Sequence, residues 1–227
     1  MNLADKLADN IEVIRKSIEN SKAASHISAK AVTLLAASKT QPVSVIEEAI
    51  RAGISCFGEN RVQEALSKQD AAAGVAVEWH LIGSLQKNKA RQAVNRFTLI
   101  HSVDRLDLAA ELDRRAAAET RQPILLQVNC SAEPQKGGVE PADLSALVDA
   151  VVSLERIELR GLMTMAAFTD DEDRQREGHR AGNDRHQLVR DRREALEEDE
   201  PRAPLVVEGA QFGLAPAIAE GDDVAIG

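Results

Sequence analysis

The sequence predicts an α/β protein, in the form of a closed (β/α)8 barrel of the TIM type with parallel strands and an extra N-terminal helix. Three observations support this fold class. Short apolar runs alternate with helical patterns, there are eight such runs, and 227 residues suit one barrel domain spanning 1–227. Strands alternating with helices predict right-handed βαβ units and a parallel sheet. An open doubly wound sheet is the alternative, but no GxGxxG motif follows the first strand.

The elements are predicted in chain order from their periodicity. Apolar residues within 2–22 recur at helical spacing and indicate an amphipathic opening helix. Strands are predicted at 32–38, 54–57, 77–82, 97–101, 123–129 and 157–163, with weaker candidates at 204–207 and 223–226. Helices are predicted between them at 43–52, 60–70, 85–95, 105–120 and 141–154. Segment 169–203 is strongly polar and lacks the apolar stripe of a helix that covers a barrel, which predicts a loosely attached helix or partial disorder.

Composition argues against several classes of protein. A net charge of −9 argues against a nucleic-acid partner, and one Trp, four Phe and no Tyr argue against a stacking platform for single strands. Cys56 and Cys130 lie far apart without zinc-type spacing, so we expect reduced thiols and no metal site. The first residues do not resemble a signal peptide, and no apolar run approaches the ~18 residues of a membrane span. We therefore expect a cytoplasmic protein without a membrane partner.

The polar ends of the predicted strands are the candidate site, because functional residues of a parallel barrel lie at the C-terminal ends of its strands. The stretch "LLAASKTQP" (34–42) is an apolar run that ends in Ser38-Lys39-Thr40. A lysine held over an apolar barrel mouth would lose hydration, which favours the neutral amine that attacks carbonyl carbons. From the pattern alone, a solvated loop lysine is the alternative.

Other polar positions have two interpretations each. In "CFGENRVQE" (56–64), Asn60 is either a helix N-cap or a residue beside a ligand ring. The loop "CSAEPQKGGVEP" (130–141) is either a lid or a simple connection. His80, in the middle of a strand, is interpreted as a core histidine in preference to a metal ligand.

Six segments together resemble the pyridoxal-phosphate homeostasis protein family, whose fold is similar to the N-terminal barrel of alanine racemase. They are "LLAASKTQP", "CFGENRVQE", "WHLIGSLQKNKAR", "IHSVDR", "LLQVNCSAEPQKGGVEP" and "LRGLMTMA", and they follow one another over about residues 30–168. The resemblance implies pyridoxal 5'-phosphate bound as an imine (Schiff base) to the lysine that ends the first strand, Lys39. It also implies that Asn60 of "GEN" and Met163 of "GLM" lie near the cofactor.

The resemblance weakens in the C-terminal part, 169–227. The family binds the cofactor phosphate with a serine-rich segment, whereas the corresponding "LVVEGAQFGLAPAIAEG" has neither Ser nor Thr. Ala225 stands where the family has an arginine that faces the pyridine nitrogen, and Gly227 matches a glycine that assists the phosphate. A phosphate needs several aligned N–H or hydroxyl donors, which backbone groups such as that of Gly227 could supply.

The resemblance thus implies a monomeric or weakly dimeric carrier of pyridoxal 5'-phosphate that acts in cofactor homeostasis without robust catalytic turnover. The altered C-terminal part leaves a cofactor-free barrel scaffold as the alternative. An amino-acid racemase is the third hypothesis. It has the least support, because racemisation needs two acid/base groups and the second, a tyrosine in alanine racemases, has no counterpart in a chain without tyrosine.

Overall fold

The computed structural model describes residues 3–24, 32–117, 119–130 and 137–165, together with 185, 188, 189, 191 and 192. Its centre is a parallel six-stranded sheet in which the strands follow one another in chain order, β1 to β6. Each strand is joined to the next through a helix, which confirms the predicted α/β class and the repeated βαβ units. The weaker strand candidates at 204–207 and 223–226 lie outside the described residues.

The elements have the following bounds. The strands are β1 (Ala36–Ala37), β2 (Cys56–Glu59), β3 (Glu78–Leu81), β4 (Leu99–Val103), β5 (Gln122–Gln127) and β6 (Ile157–Met163). The helices are α1 (Leu3–Ala24), α2 (Val43–Arg51), α3 (Val62–Ala71), α4 (Ala90–Ala93, after a 3-10 turn at Lys87–Lys89), α5 (Leu106–Arg115) and α6 (Leu144–Val152). No described helix has both the length and the apolar character needed to cross a membrane.

Several predicted elements differ from the observed ones in their bounds. The helix predicted at 85–95 is reduced to a 3-10 turn and one α-turn, because Val94 has an extended ψ of 135° and Asn95 takes a left-handed φ of 60°. The Asn95 N–H donates to the Gln122 side chain instead of continuing a helix. Strand β1 keeps two residues of the predicted 32–38, and β2 extends two residues further than predicted, so that Glu59 belongs to the strand.

The two faces of the sheet have different environments, because side chains alternate along a strand. Phe57, Ile100 and Leu126 belong to the main apolar core with buried residues of the helices. Leu99 and Leu125 alternate with these residues and form a separate buried group with Met163. We call this second side the inner face.

Segment 169–203 is described at five positions. Among these, Val189 is buried in the main core, and Arg192 Nε donates to Asp149 Oδ1 of α6 at 2.6 Å. These described positions contact the core, and the prediction for the rest of the segment falls outside the described residues.

Candidate functional site

Lys39 and Asn60 lie at the C-terminal ends of neighbouring strands. The Ser38 N–H donates to the Gly58 carbonyl at 2.9 Å, so the parallel ladder continues up to the residue before Lys39. Asn60 directly follows Glu59, the last residue of β2. Both side chains are exposed. The structure therefore brings the first two predicted site residues to the same edge of the sheet.

The exposure of Lys39 corrects one part of the sequence analysis. A lysine over an apolar mouth was expected to lose its hydration, but Lys39 is exposed in this structure. Burial within the folded chain is thus not what would prepare this amine for reaction. Its role toward a cofactor stays a prediction.

The turn that holds Lys39 is strained. The Gln41 N–H donates to the Ser38 carbonyl at 3.1 Å and closes the turn. Thr40 has a φ of 64°, in the left-handed region that a β-branched residue rarely adopts, and its hydroxyl donates to the Lys39 carbonyl at 2.6 Å. Such strain persists only where the surrounding structure enforces it, and it is common at functional sites.

A buried ionic cluster lies beneath this turn. Lys68 Nζ, on α3, donates to Glu59 Oε1 at 2.6 Å and to the Ser38 carbonyl at 2.6 Å. The Ser38 hydroxyl donates to the same Glu59 oxygen at 2.6 Å. Glu59 is fully buried and Lys68 is 7% exposed. This Ser38–Glu59–Lys68 cluster fixes the residues immediately before Lys39 and Asn60.

Glu59 and Lys68 are site-supporting residues that sequence reasoning missed. Glu59 stands inside the "GEN" motif, so its position between an apolar strand and Asn60 could have marked it. Lys68 offers no comparable signal, because a lysine within a helical pattern is ordinarily solvated. Its burial depends on the packing of α3 against the ends of β1 and β2.

Gly83 fixes the backbone of Asn60. A Cβ atom on Gly83 would lie 2.4 Å from the Asn60 carbonyl oxygen and 2.6 Å from its Cα, closer than such atoms can approach. The Ser102 hydroxyl, on β4, donates to the Gly83 carbonyl at 2.7 Å. Asn60 therefore packs on a glycine that is itself held by the next strand, which restricts the position of this loop.

Met163 ends β6 and is 1% exposed on the inner face, against Leu99 and Leu125. Strands β1 and β6 are the two edges of the described sheet, so the strand order alone does not bring Met163 beside Lys39. Gly227, the fourth predicted binding residue, lies outside the described residues, as does Ala225.

A histidine pair lies deeper on the inner face. His80 of β3 and His101 of β4 are both buried, and His80 Nδ1 lies 3.0 Å from His101 Nε2. Burial, and secondarily the neighbouring His101, lowers the pKa of His80 to about 3. His80 is thus a buried histidine in contact with His101. The structure also brings it close to Cys56 and Glu78, a proximity that spacing along the chain did not indicate.

Known proteins with similar sequences point to one family. The family model for "Alanine racemase, N-terminal domain" matches residues 4–207. The pyridoxal phosphate homeostasis protein of Pseudomonas aeruginosa is 42% identical over 160 residues, which cover 70% of this chain and 70% of that protein. The protein of the same name from Escherichia coli K12 is 42% identical over 165 residues, or 71% and 70% of the two chains.

Solved structures agree with these matches. PipY from Synechococcus elongatus PCC7942, solved with PLP bound, has a TM-score of 0.70 and 31% identity, covering 89% of this chain and 97% of that one. Alanine racemase from Corynebacterium glutamicum has a TM-score of 0.65 at 18% identity, covering 83% of this chain and 51% of that one, which shows the barrel-like fold alone. The family match over most of the sequence and the relatives at 42% identity show that this chain belongs to the pyridoxal phosphate homeostasis protein family, within the alanine racemase N-terminal domain fold.

Proposed function

We propose that the protein binds pyridoxal 5'-phosphate and acts in homeostasis and carriage of this cofactor, with Lys39 as the point of covalent attachment. The observation that supports the proposal best is an exposed primary amine fixed on a strained turn beside Asn60 at the C-terminal edge of the sheet. Family membership supports the same ligand. A single domain, a monomer or weak dimer and a cytoplasmic location form part of the proposal.

The described residues fit the aldehyde end of the cofactor. When bound, pyridoxal phosphate supplies an aldehyde carbon that condenses with a primary amine and releases water. Lys39 supplies that amine, and its exposure gives a ligand direct access. Asn60, on the neighbouring strand end, has side-chain donors and an acceptor for the ring substituents. Met163 belongs to the apolar lining of the inner face.

The phosphate end requires a second set of residues. A phosphate dianion needs several aligned N–H or hydroxyl donors. We assign part of this role to the backbone N–H of Gly227. The absence of Ser and Thr from "LVVEGAQFGLAPAIAEG" favours weaker binding than a serine-rich segment would give. It is also the observation that favours the second candidate function, a cofactor-free scaffold.

A carrier accounts for the described residues better than a racemase does. Racemisation needs an acid/base group on each face of the substrate α-carbon. Lys39 supplies one such group, and the tyrosine that serves alanine racemases is missing from a chain with no tyrosine. We therefore expect binding without robust turnover.

The experiment is a titration of the purified protein with pyridoxal 5'-phosphate, followed by visible absorption, borohydride reduction and peptide mapping. We expect a new visible band and a reduced adduct on Lys39. Lys39→Ala should lose both, whereas Lys87→Ala, which removes another exposed lysine at the sheet's C-terminal edge, should keep both. No band at saturating cofactor would favour the scaffold. An adduct that persists in Lys39→Ala would assign another lysine.

A further inference from the structure

Three potential metal ligands meet at the start of β2 and β3. Cys56 and Glu78 are the first residues of their strands and are direct cross-strand partners. His80 lies two residues after Glu78, on the same inner face. Cys56 Sγ is 3.6 Å from His80 Nε2, Glu78 Oε2 is 3.7 Å from the same nitrogen, and the three ligand atoms lie within 4.8 Å of one another.

These separations suit a four-coordinate metal ion. Tetrahedral zinc holds N, O and S ligands at about 2.0–2.3 Å, which places the ligand atoms roughly 3.3–3.8 Å from one another. The two measured distances to His80 Nε2 fall in that range. Thiolate, imidazole and carboxylate are also the three ligand types that zinc uses in proteins.

His101 gives the imidazole of His80 a suitable orientation. A histidine that binds a metal through one ring nitrogen ordinarily donates its other N–H to a fixed acceptor. His101 Nε2, fully buried on β4, lies 3.0 Å from His80 Nδ1 and can accept that hydrogen. The lone pair of His80 Nε2 then faces Cys56 and Glu78.

The cluster is reachable and separate from the candidate cofactor site. Cys56 is 1% exposed and His80 is 7% exposed, but the Glu78 side chain is 59% exposed, which leaves an entry path on its side. Cys56 and Glu59 are the two ends of β2, about 10 Å apart at the rise of a strand. Lys39 and Asn60 lie beyond the Glu59 end.

We propose that Cys56, Glu78 and His80 form a binding site for a borderline-soft divalent metal ion such as Zn²⁺, with His101 as a positioning residue. Binding converts the Cys56 thiol to a thiolate, and its proton passes to the solvent, so one proton is released for each ion bound. A water molecule completes the four ligands. This site is independent of the proposed cofactor role of Lys39.

The test is a titration of the reduced, metal-free full-length chain with Co²⁺, which makes thiolate coordination visible. We expect a thiolate-to-cobalt charge-transfer band that saturates at one ion per chain and disappears when Zn²⁺ is added. Cys56→Ser should abolish the band. Cys130→Ser, which removes the other cysteine, should leave it unchanged.

Two further variants separate ligation from folding. Glu78→Gln changes an exposed side chain and should leave the fold intact while weakening Co²⁺ binding by ~10-fold or more. His101→Gln should weaken it by ~10–100-fold while keeping the charge-transfer band at saturation, as expected of a positioning residue. Absence of the band in the wild type, its survival in Cys56→Ser, or unchanged affinity in Glu78→Gln would each overturn the proposal.

Discussion

The Ser38–Glu59–Lys68 cluster and the His80–His101 pair both bury titratable side chains on neighbouring strands, but they avoid the cost of burial in different ways. Glu59 and Lys68 form an ion pair with further hydrogen bonds to Ser38. Among the described residues, His80 faces no buried opposite charge, and it takes the neutral form, as its lowered pKa indicates. The comparison teaches that a buried charge persists where its partner is buried with it, and is otherwise neutralised.

The largest expected effect comes from breaking the ion pair. Lys68→Met leaves the Glu59 carboxylate buried without its opposite charge and with the Ser38 hydroxyl as its remaining donor, so we expect the free energy of unfolding to fall by about 3–5 kcal/mol in urea denaturation near pH 7. Lys16→Met removes a lysine from an exposed pair with Glu12 and should cost less than about 1 kcal/mol. The double variant Glu59→Gln with Lys68→Met should recover part of the loss. Equal costs for both lysines would contradict the role of the cluster.

The second largest effect is expected from disturbing the packing of Gly83 against Asn60. Gly83→Ala forces the Asn60 backbone to move, and we expect a loss of about 1–3 kcal/mol in stability together with weaker binding of pyridoxal 5'-phosphate. Gly137→Ala is the control, because its added methyl would meet the nearest atoms at 3.5 and 3.8 Å, which are ordinary contacts. Thermal unfolding and cofactor titration measure both effects. Full cofactor affinity in Gly83→Ala would show that this contact does not position Asn60.

The lowered pKa of His80 predicts that the stability of the protein depends on pH. The pKa of His80 is about 3 in the folded protein and about 6.5 when unfolded, so the unfolded chain binds the extra proton between these values. The contribution of neutral His80 to the free energy of unfolding is therefore fully present above about pH 6.5. It is lost as the pH falls below that value, by up to about 1.4 kcal/mol per pH unit.

Urea denaturation at several pH values between 4 and 7 checks this slope, with His80→Gln for comparison. The carboxylates contribute similarly to both proteins, so the difference in slope isolates His80. We expect the variant to lose stability less steeply as pH falls. Parallel curves would refute the pH role of His80.

The smallest expected effect concerns the strained turn next to Lys39. Thr40→Gly removes a β-branched side chain from a left-handed conformation and should stabilise the protein by up to about 1 kcal/mol, after the entropic cost of glycine is subtracted. Thr98→Gly, at an exposed position without a positive φ, should destabilise it instead. If both variants lose stability equally in urea denaturation, Thr40 is not strained.

The sequence alone determined the order of strands and helices, because the period of apolar residues depends on the local backbone conformation. It also determined that Lys39 and Asn60 end the first two strands, since each follows an apolar run directly. The family was identified from motifs in the same segments. Prediction failed where a contact with another element overrode the local helical pattern. The helix predicted at 85–95 ends early because Asn95 takes a left-handed φ and its N–H donates to Gln122 of β5.

Only the tertiary structure decided which side chains meet. The burial of Lys68 depends on where α3 lies relative to β1 and β2, and the exposure of Lys39 depends on a turn closed by Gln41. Cys56 and Glu78 are 22 positions apart and become neighbours through the register of β2 and β3. The physical reason is that residue spacing describes one element at a time, whereas cross-strand register and helix packing bring distant residues together.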